Sequence, residues 1–448
     1  MTGIRFAAPR YSDLASHLLD AGGRESCAIG YAYYDPVTDG WIVSDAHAVP
    51  ETAYVRRSGT SATLDTSFLL GVANRSRTTG MAVIIMHTHP DSSGWPAFSA
   101  VDDAGEIEIG TYLERRAARV PHAAMVIGPN GCRARSIPHG RELLVWEVGD
   151  RLMLHSPLPG GASDARDDRQ VRAFGKPGQR LLKRLHFGVI GAGGTGSLAC
   201  QQLAHLGASR LTVIDPDTVE ATNLNRLVGA RSDDVGVAKV EVAKRMVQAI
   251  NPDAEVRALQ ADIVDEDVAC LLASFDFILL CTDSHASRAV VNQAVFQFLV
   301  PGIDMGVSIT VSDGLVTHIT GRVQMLSPGL PCLACTGALD GELIRRELMT
   351  VAQRSADPYV QGEREPQPAV ISINSTVTSL AITMLLGAVT PIPAGPRHQR
   401  YDGIRGQVRA MAASRQDGCI ACSSLGALAR GVEWPLPVRL AVPHGGDA

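Results

Sequence analysis

At 448 residues, 45% of them hydrophobic and 19% charged, the chain has the composition of a globular protein and the length for two or three domains. A net charge of −5 without any basic run argues against a nucleic-acid partner. The segment MTGIRFAAPRYSDL has no apolar core of a secretory signal, and four of the nine cysteines fall in C-x-x-C pairs, a pattern that favours metal over disulfides and sets a cytoplasmic expectation.

In chain order, strand-like segments are expected at 27–35, 40–49, 80–89 and 122–129, with helices near 11–21, 63–76 and 101–118, which reads as an α+β domain over 1–155. The Gly-, Pro-, Ser- and Asp-rich LHSPLPGGASDARDD marks a linker, taken as 156–168. From there strands near 185–190, 210–215, 255–261, 276–281 and 301–307 alternate with helices near 196–206, 236–250, 265–273 and 285–299. That rhythm is an α/β, doubly wound, Rossmann-like domain, taken as 169–430. The apolar window 369–389 carries several Ser and Thr residues and Asn374, so it is expected as a buried or interface helix and not a membrane span. The segment 431–448 is expected as a loosely ordered tail.

Two constellations carry chemistry. In the first, His87-Thr88-His89-Pro90 ends an apolar strand whose period of two puts both imidazoles on one face, where they can share a metal. The segment Ser99-Ala100-Val101-Asp102 adds a carboxylate and leaves a fourth coordination position for water. Glu25 is the candidate general base. Together Glu25, HTHP and SAVD resemble the JAB/JAMM (MPN-type) metalloproteases, which cut bonds after the C-terminus of ubiquitin-like proteins. The resemblance implies a catalytic zinc on His87, His89 and Asp102, proton transfer by Glu25, and an oxyanion steadied by Ser99. The gap from His89 to Asp102 is longer than in that family's motif, and Asp103 adjoins Asp102, so either carboxylate can be the ligand.

In the second, the strand Leu185 to Ile190 breaks into Gly191, Gly193, Gly194 and Gly196 ahead of a helix, and the next strand ends in Asp215. The unit offers backbone N–H groups and a helix N-terminus to phosphate and a carboxylate to ribose. The glycines alone fit a nicotinamide enzyme equally well. Asn223 and Arg226 in DPDTVEATNLNRL, Lys239 in VGVAKVEVAKR and Asp283 after FDFILLCT favour Mg²⁺ and ATP, because adenylyl transfer builds negative charge on a triphosphate. These motifs, in this order, resemble the ThiF/MoeB and ubiquitin-activating enzymes. The resemblance implies ribose on Asp215, triphosphate on Asn223, Arg226 and Lys239, and Mg²⁺ on Asp283. It also implies a homodimer in which Arg169, from RDDRQVRAFGKPGQ, reaches the neighbour's ATP.

Cys332, Cys335, Cys419 and Cys422 read as a closed Cys₄ structural zinc site. No cysteine lies from Thr336 to Gly418, where thioester-forming relatives keep theirs, and Cys27, Cys132, Cys200, Cys270 and Cys281 are expected as buried small apolar residues. The expected function is therefore bifunctional: zinc-dependent trimming or removal of a ubiquitin-like protein with a C-terminal glycine, and ATP-dependent adenylation of that glycine. The acyl group then passes to an outside acceptor such as a conjugating-enzyme-like protein. The alternative is activation of a sulfur carrier or peptide in a small-molecule pathway.

Overall fold

The computed structural model describes residues 3–158, 160, 165–350, 353 and 368–439. They form two compact units. The first is 1–160 together with 297–299 and 427–435, and the second is the remainder.

The first unit contains β1 (Gly3–Ala7), α1 (Arg10–Leu19), β2 (Cys27–Asp35), β3 (Gly40–Ala48), β4 (Tyr54–Arg57), β5 (Ala62–Leu64), α2 (Thr66–Thr79), β6 (Ala82–Thr88) and α3 (Ala100–Arg116). After them come β7 (His122–Gly128), β8 (Gly131–Ile137), β9 (Glu142–Leu143), β10 (Val145–Val148) and β11 (Leu152–Leu154). All but β4 and β5 join one mixed sheet in the order β11-β10-β1-β3-β2-β6-β7-β8-β9. Strand alternation divides its core in two. Ala28, Ile84 and Met86 pack with Tyr11, Ala15 and Leu18 of α1, whereas Ile29, Tyr31 and Val83 pack with Val72 and Ala73 of α2 and Leu113 of α3. Asp65 caps α2 by accepting the N–H groups of Ser67 and Phe68, and Gly80 ends it at φ 74°.

In the second unit α4 (Asp168–Arg184) leads to β12 (His186–Ile190), α5 (Gly194–His205), β13 (Arg210–Ile214), α6 (Lys239–Ile250), β14 (Glu255–Leu259), the short α7 (Glu266–Ala269), β15 (Phe277–Leu280) and α8 (His285–Gln297). Next are β16 (Gly302–Ser312), β17 (Leu315–Leu326), α9 (Gly341–Leu348), α10 (Ile371–Val389), β18 (His398–Asp402) and β19 (Gln407–Ala410). The sheet order is β14-β13-β12-β15-β16-β17-β18-β19, parallel through β16 and antiparallel beyond it. The order reverses direction between β12 and β15, which opens the crevice where doubly wound sheets bind ligands. Asp313 and Gly314, both at positive φ, make the tight turn from β16 to β17. By length and composition α10 is apolar enough to cross a membrane, but Val377, Ala381, Leu385 and Ala388 are buried and the helix packs along α5, β16 and β17.

Two expectations are corrected. The segment from 431 is no loose tail as far as it is described: Gly431 is buried, and Arg439 pairs with Asp265 at 2.9 Å and Asp262 at 3.4 Å while donating to the carbonyls of Glu347 and Leu348. Residues 440–448 lie outside the described residues. Within the expected linker, Asp167 is buried and paired with Lys183, which anchors the start of α4; 159 and 161–164 are not among the described residues.

His122 of β7 yields a pH prediction. It is buried, its Nδ1 accepts the Val83 N–H at 2.9 Å, and burial pushes its pKa down to about 4. The folded state keeps the ring neutral while the unfolded chain protonates near 6.5, so stability falls as pH drops from about 6.5 to 4 and levels off below. Replacing His122 with Gln, whose carbonyl can still accept from Val83, should remove up to about 3 kcal/mol of that fall. Denaturant midpoints at pH 7 and 4.5 check this; equal slopes in both proteins would sink it.

Candidate functional site

In the first unit the metal-ligand candidates meet because of strand register. β2 runs antiparallel to β6 with Cys27 opposite His87, so Glu25, two residues earlier, falls opposite His89. Its Oε1 lies 3.7 Å from His89 Nε2. The N-terminus of α3 brings in Asp102, with Oδ1 3.3 Å from His87 Nε2 and Oδ2 3.5 Å from His89 Nε2. Tetrahedral zinc with bonds of ~2.0–2.1 Å spaces its N and O ligands roughly 3.3–3.4 Å apart, so the donor set fits such an ion. The buried His87 Nε2 makes no hydrogen bond, which is the state of a nitrogen that awaits a ligand. Asp103 instead pairs with Arg135 at 2.7 Å, so Asp102 is the carboxylate that faces the imidazoles.

Burial pushes the Glu25 carboxyl up, against the opposing pull of His89 and His87. Burial would also raise Asp102, but the imidazoles of His87 and His89 beside it hold it far below the usual carboxylate range. Ser99 is the N-cap of α3: its Oγ accepts the Asp102 N–H at 3.2 Å, and Asp102 Oδ2 accepts the Ser99 N–H at 2.6 Å. That box aims Asp102, and it leaves the Ser99 hydroxyl proton available. The lengthened loop does not displace the site, because Trp95 lies against Gly131 and Pro96 against Gly128. Arg135, which the sequence reading did not single out, stacks 3.8 Å over the Phe98 ring and pairs with Glu106 at 2.6 Å beside the histidines. Only the fold brings β8 to α3, so no local signal announced it.

In the second unit the chain turns sharply between β12 and α5. Gly191 sits at φ 94°, and a Cβ on Gly196 would fall 1.8 Å from the Gly191 carbonyl, so neither position admits a side chain. Asp215, buried at the end of β13, accepts the Ala192 N–H at 2.6 Å and the Asp217 N–H at 2.9 Å. Burial raises its carboxyl and Lys239 opposes that rise. Lys239, the first residue of α6, donates to Asp217 Oδ2 at 2.6 Å. Asn223 is buried and uses its Oδ1 to accept the Glu220 N–H at 3.2 Å; Arg226 donates to the Thr222 carbonyl at 2.6 Å and lies over Gly194. Asp283 is exposed after β15, on the neighbouring strand end. Arg169 is exposed on α4. Gly193 caps α5 without a side chain, so the helix presents its first N–H groups at the crevice.

The four knuckle cysteines converge. Cys332 and Cys335 sulfurs are 3.6 Å apart, Cys332 and Cys419 3.5 Å, and Cys335 and Cys422 3.5 Å. Zinc–sulfur bonds of ~2.3 Å require about 3.8 Å, so a small outward shift accommodates the ion. Of the other five, Cys27, Cys132, Cys200 and Cys281 are buried, but Cys270 is exposed, because the expected helix over 265–273 breaks into a short α7 and a 3₁₀ turn that turns the thiol outward. Cys335→Ser should lower bound zinc by about one ion per chain and lower the thermal midpoint, since a closed thiolate site contributes folding energy. Metal analysis alongside calorimetry tests it; an unchanged zinc content would remove the site.

The ThiF family profile matches residues 167–421. The chain is 32% identical to the molybdopterin-synthase adenylyltransferase of Escherichia coli over 259 residues, which cover 57% of this chain and 95% of that protein. It is 34% identical over 161 residues to the SAMP-activating enzyme E1 of Haloferax volcanii, covering 36% of this chain and 56% of that one. A crystal structure of E. coli MccB with MccA-N7isoASN aligns at 20% identity and a TM-score of 0.45, covering 59% of this chain and 77% of that one. The resemblance of the first unit to metalloproteases rests on its own residues, whereas the match across the second is extended and collinear: this chain belongs to the ThiF family.

Proposed function

We propose that this protein is an adenylyltransferase that activates the terminal carboxylate of a sulfur-carrier-like protein or peptide, joined to a zinc-dependent peptidase that acts on the same partner. The observation that carries the first half is the glycine turn with Arg226 over Gly194 and Lys239 acting on Asp215, in a chain collinear with 95% of a molybdopterin-synthase adenylyltransferase. That relative, and the SAMP-activating enzyme, favour a small carrier over the modifier processing that the sequence motifs first suggested.

A carboxylate oxygen of the partner attacks the α-phosphorus of ATP, the bond to the bridging oxygen breaks, and acyl-adenylate and pyrophosphate result. Asp215 holds the ribose, while Asn223, Arg226 and Lys239 bind the triphosphate; Lys239 gives up Asp217 to do so. Asp283, exposed just after β15, would hold Mg²⁺, which would supply charge neutralisation at the phosphates. Electrostatic stabilisation of this kind is the main catalytic contribution in phosphoryl and adenylyl chemistry. With no cysteine from Thr336 to Gly418, the adenylate passes to an outside acceptor. The active form is a cytoplasmic homodimer in which Arg169 supports the neighbour's site.

In the first unit His87, His89 and Asp102 would hold a zinc ion, which would supply Lewis acidity. Glu25 takes the proton of the attacking water and delivers it to the leaving amine, a task suited to a carboxyl raised by burial. The Ser99 hydroxyl donates to the oxyanion. Trimming a precursor in this way exposes the carboxylate that the second unit activates.

Pyrophosphate exchange that requires both ATP and a carrier protein tests the first half. Lys239→Ala and Asp283→Ala should each lower it by roughly 100-fold or more; wild-type exchange in either variant would refute the assignment. Glu25→Gln should abolish precursor cleavage and leave exchange intact, with mass spectrometry of the partner as the readout. Cleavage at the wild-type rate in that variant would remove Glu25 as the base.

A further inference from the structure

We propose that Asn374 of α10 is a further binding residue for a nucleotide phosphate, an inference that rests on the adenylyltransferase reading of the second unit. α10 lies along α5, and Asn374 is 5% exposed. Its Nδ2 sits 2.3 Å from where a Cβ on Gly194 would stand, so the carboxamide rests on the first residue of α5. The Arg226 side chain closes on the same glycine, its Cδ 3.6 Å from that point. Asn374 and Arg226 therefore flank the helix N-terminus whose cap, Gly193, contributes no side chain.

Two other polar groups on this part of α10 have partners. Thr378 Oγ1 donates to the Thr195 carbonyl at 3.4 Å, and Ser379 Oγ accepts from Gln202 Nε2 at 3.1 Å. The backbone N–H of Asn374 bonds to the Val370 carbonyl, yet no described residue hydrogen-bonds its carboxamide. The residue is 5% exposed, and its carboxamide atoms are not among the fully buried unsatisfied ones, so the amide keeps an opening through which a ligand can reach it. Here it stands beside the first turn of α5 and the Arg226 stem, whose Nη1 is bonded to the Thr222 carbonyl and to Asn225 Oδ1 and would turn from them to meet an anion. A phosphate oxygen placed there accepts from Nδ2, from the first turn of α5 and from Arg226 together.

The test is calorimetric titration of the full chain with Mg·ATP and, separately, with adenosine. Asn374→Ala should weaken ATP roughly tenfold, the loss of one hydrogen bond to a charged group, and leave adenosine unchanged. Asn374→Asp keeps the side-chain volume but places a negative charge at the phosphate, so it should weaken ATP more than Ala does, with an unchanged thermal midpoint. An amide that only fills space predicts the reverse order, and that order overturns the inference. Equal weakening of ATP and adenosine overturns it as well. Wild-type protein that binds no ATP overturns the adenylyltransferase reading itself, and the inference with it. Where Asn374→Asp does not fold, the contrast between ATP and adenosine in Asn374→Ala decides.

Discussion

The second unit depends on one close approach. Helix α5 begins almost against the end of β12, with the Gly191 carbonyl occupying the space where a Cβ of Gly196 would be. A side chain at Gly196 would push the helix away from the strand, and one at Gly191 would strike the Cys281 backbone. Because the two stay in contact, the α5 N–H groups open at the crevice between β12 and β15, and Asp215 can tie the turn through the Ala192 N–H. Arg226 and Asn374, carried there by different segments, both lie against Gly194 at the start of that helix. Packing of α10 along α5 extends the constraint: the helix that looks like a membrane span in isolation is the wall of the site.

The first unit depends on register in the same sense. A slip of one residue between β2 and β6 would turn Glu25 away from His89 and leave the histidines on a different face. Asp102 carries two duties there, as partner of the capping box and as the carboxylate between the imidazoles. The cap therefore supports the site as well as the helix. Removing the Ser99 side chain would free the first turn of α3 and with it the aim of Asp102. The lengthened loop from Asp91 to Phe98 packs Trp95 and Pro96 back onto the β7–β8 turn.

Much of this was legible in the linear chain. Period-two and period-3.6 patterns located the main strands and helices, because burial of one face imposes them locally. The glycine turn, HTHP, SAVD and the two C-x-x-C pairs were legible for the same reason: each is a short segment whose residue types are demanded by a nearby backbone or ligand geometry. Short strands such as β9 and β11 were missed, since two or three residues carry no period. Cys270 was misread because apolar neighbours do not reveal which side of a turn faces water. Arg439 hides in a segment rich in Pro, where nothing local indicates its carboxylate partners.

By itself the sequence determined the alternation of elements, the need for glycine at the turn from β12 to α5, the cysteine and histidine sets that could hold a metal, and the lack of a cysteine between the knuckles. All of these follow from local stereochemistry or from residue identity. Only the tertiary structure decided that Asp102 and not Asp103 faces the histidines, that Arg135 stands beside them, and that Asn374 rests on Gly194. Such choices depend on which helix face is carried against which strand. That is set by packing between segments far apart in the chain, and no spacing within either segment encodes it.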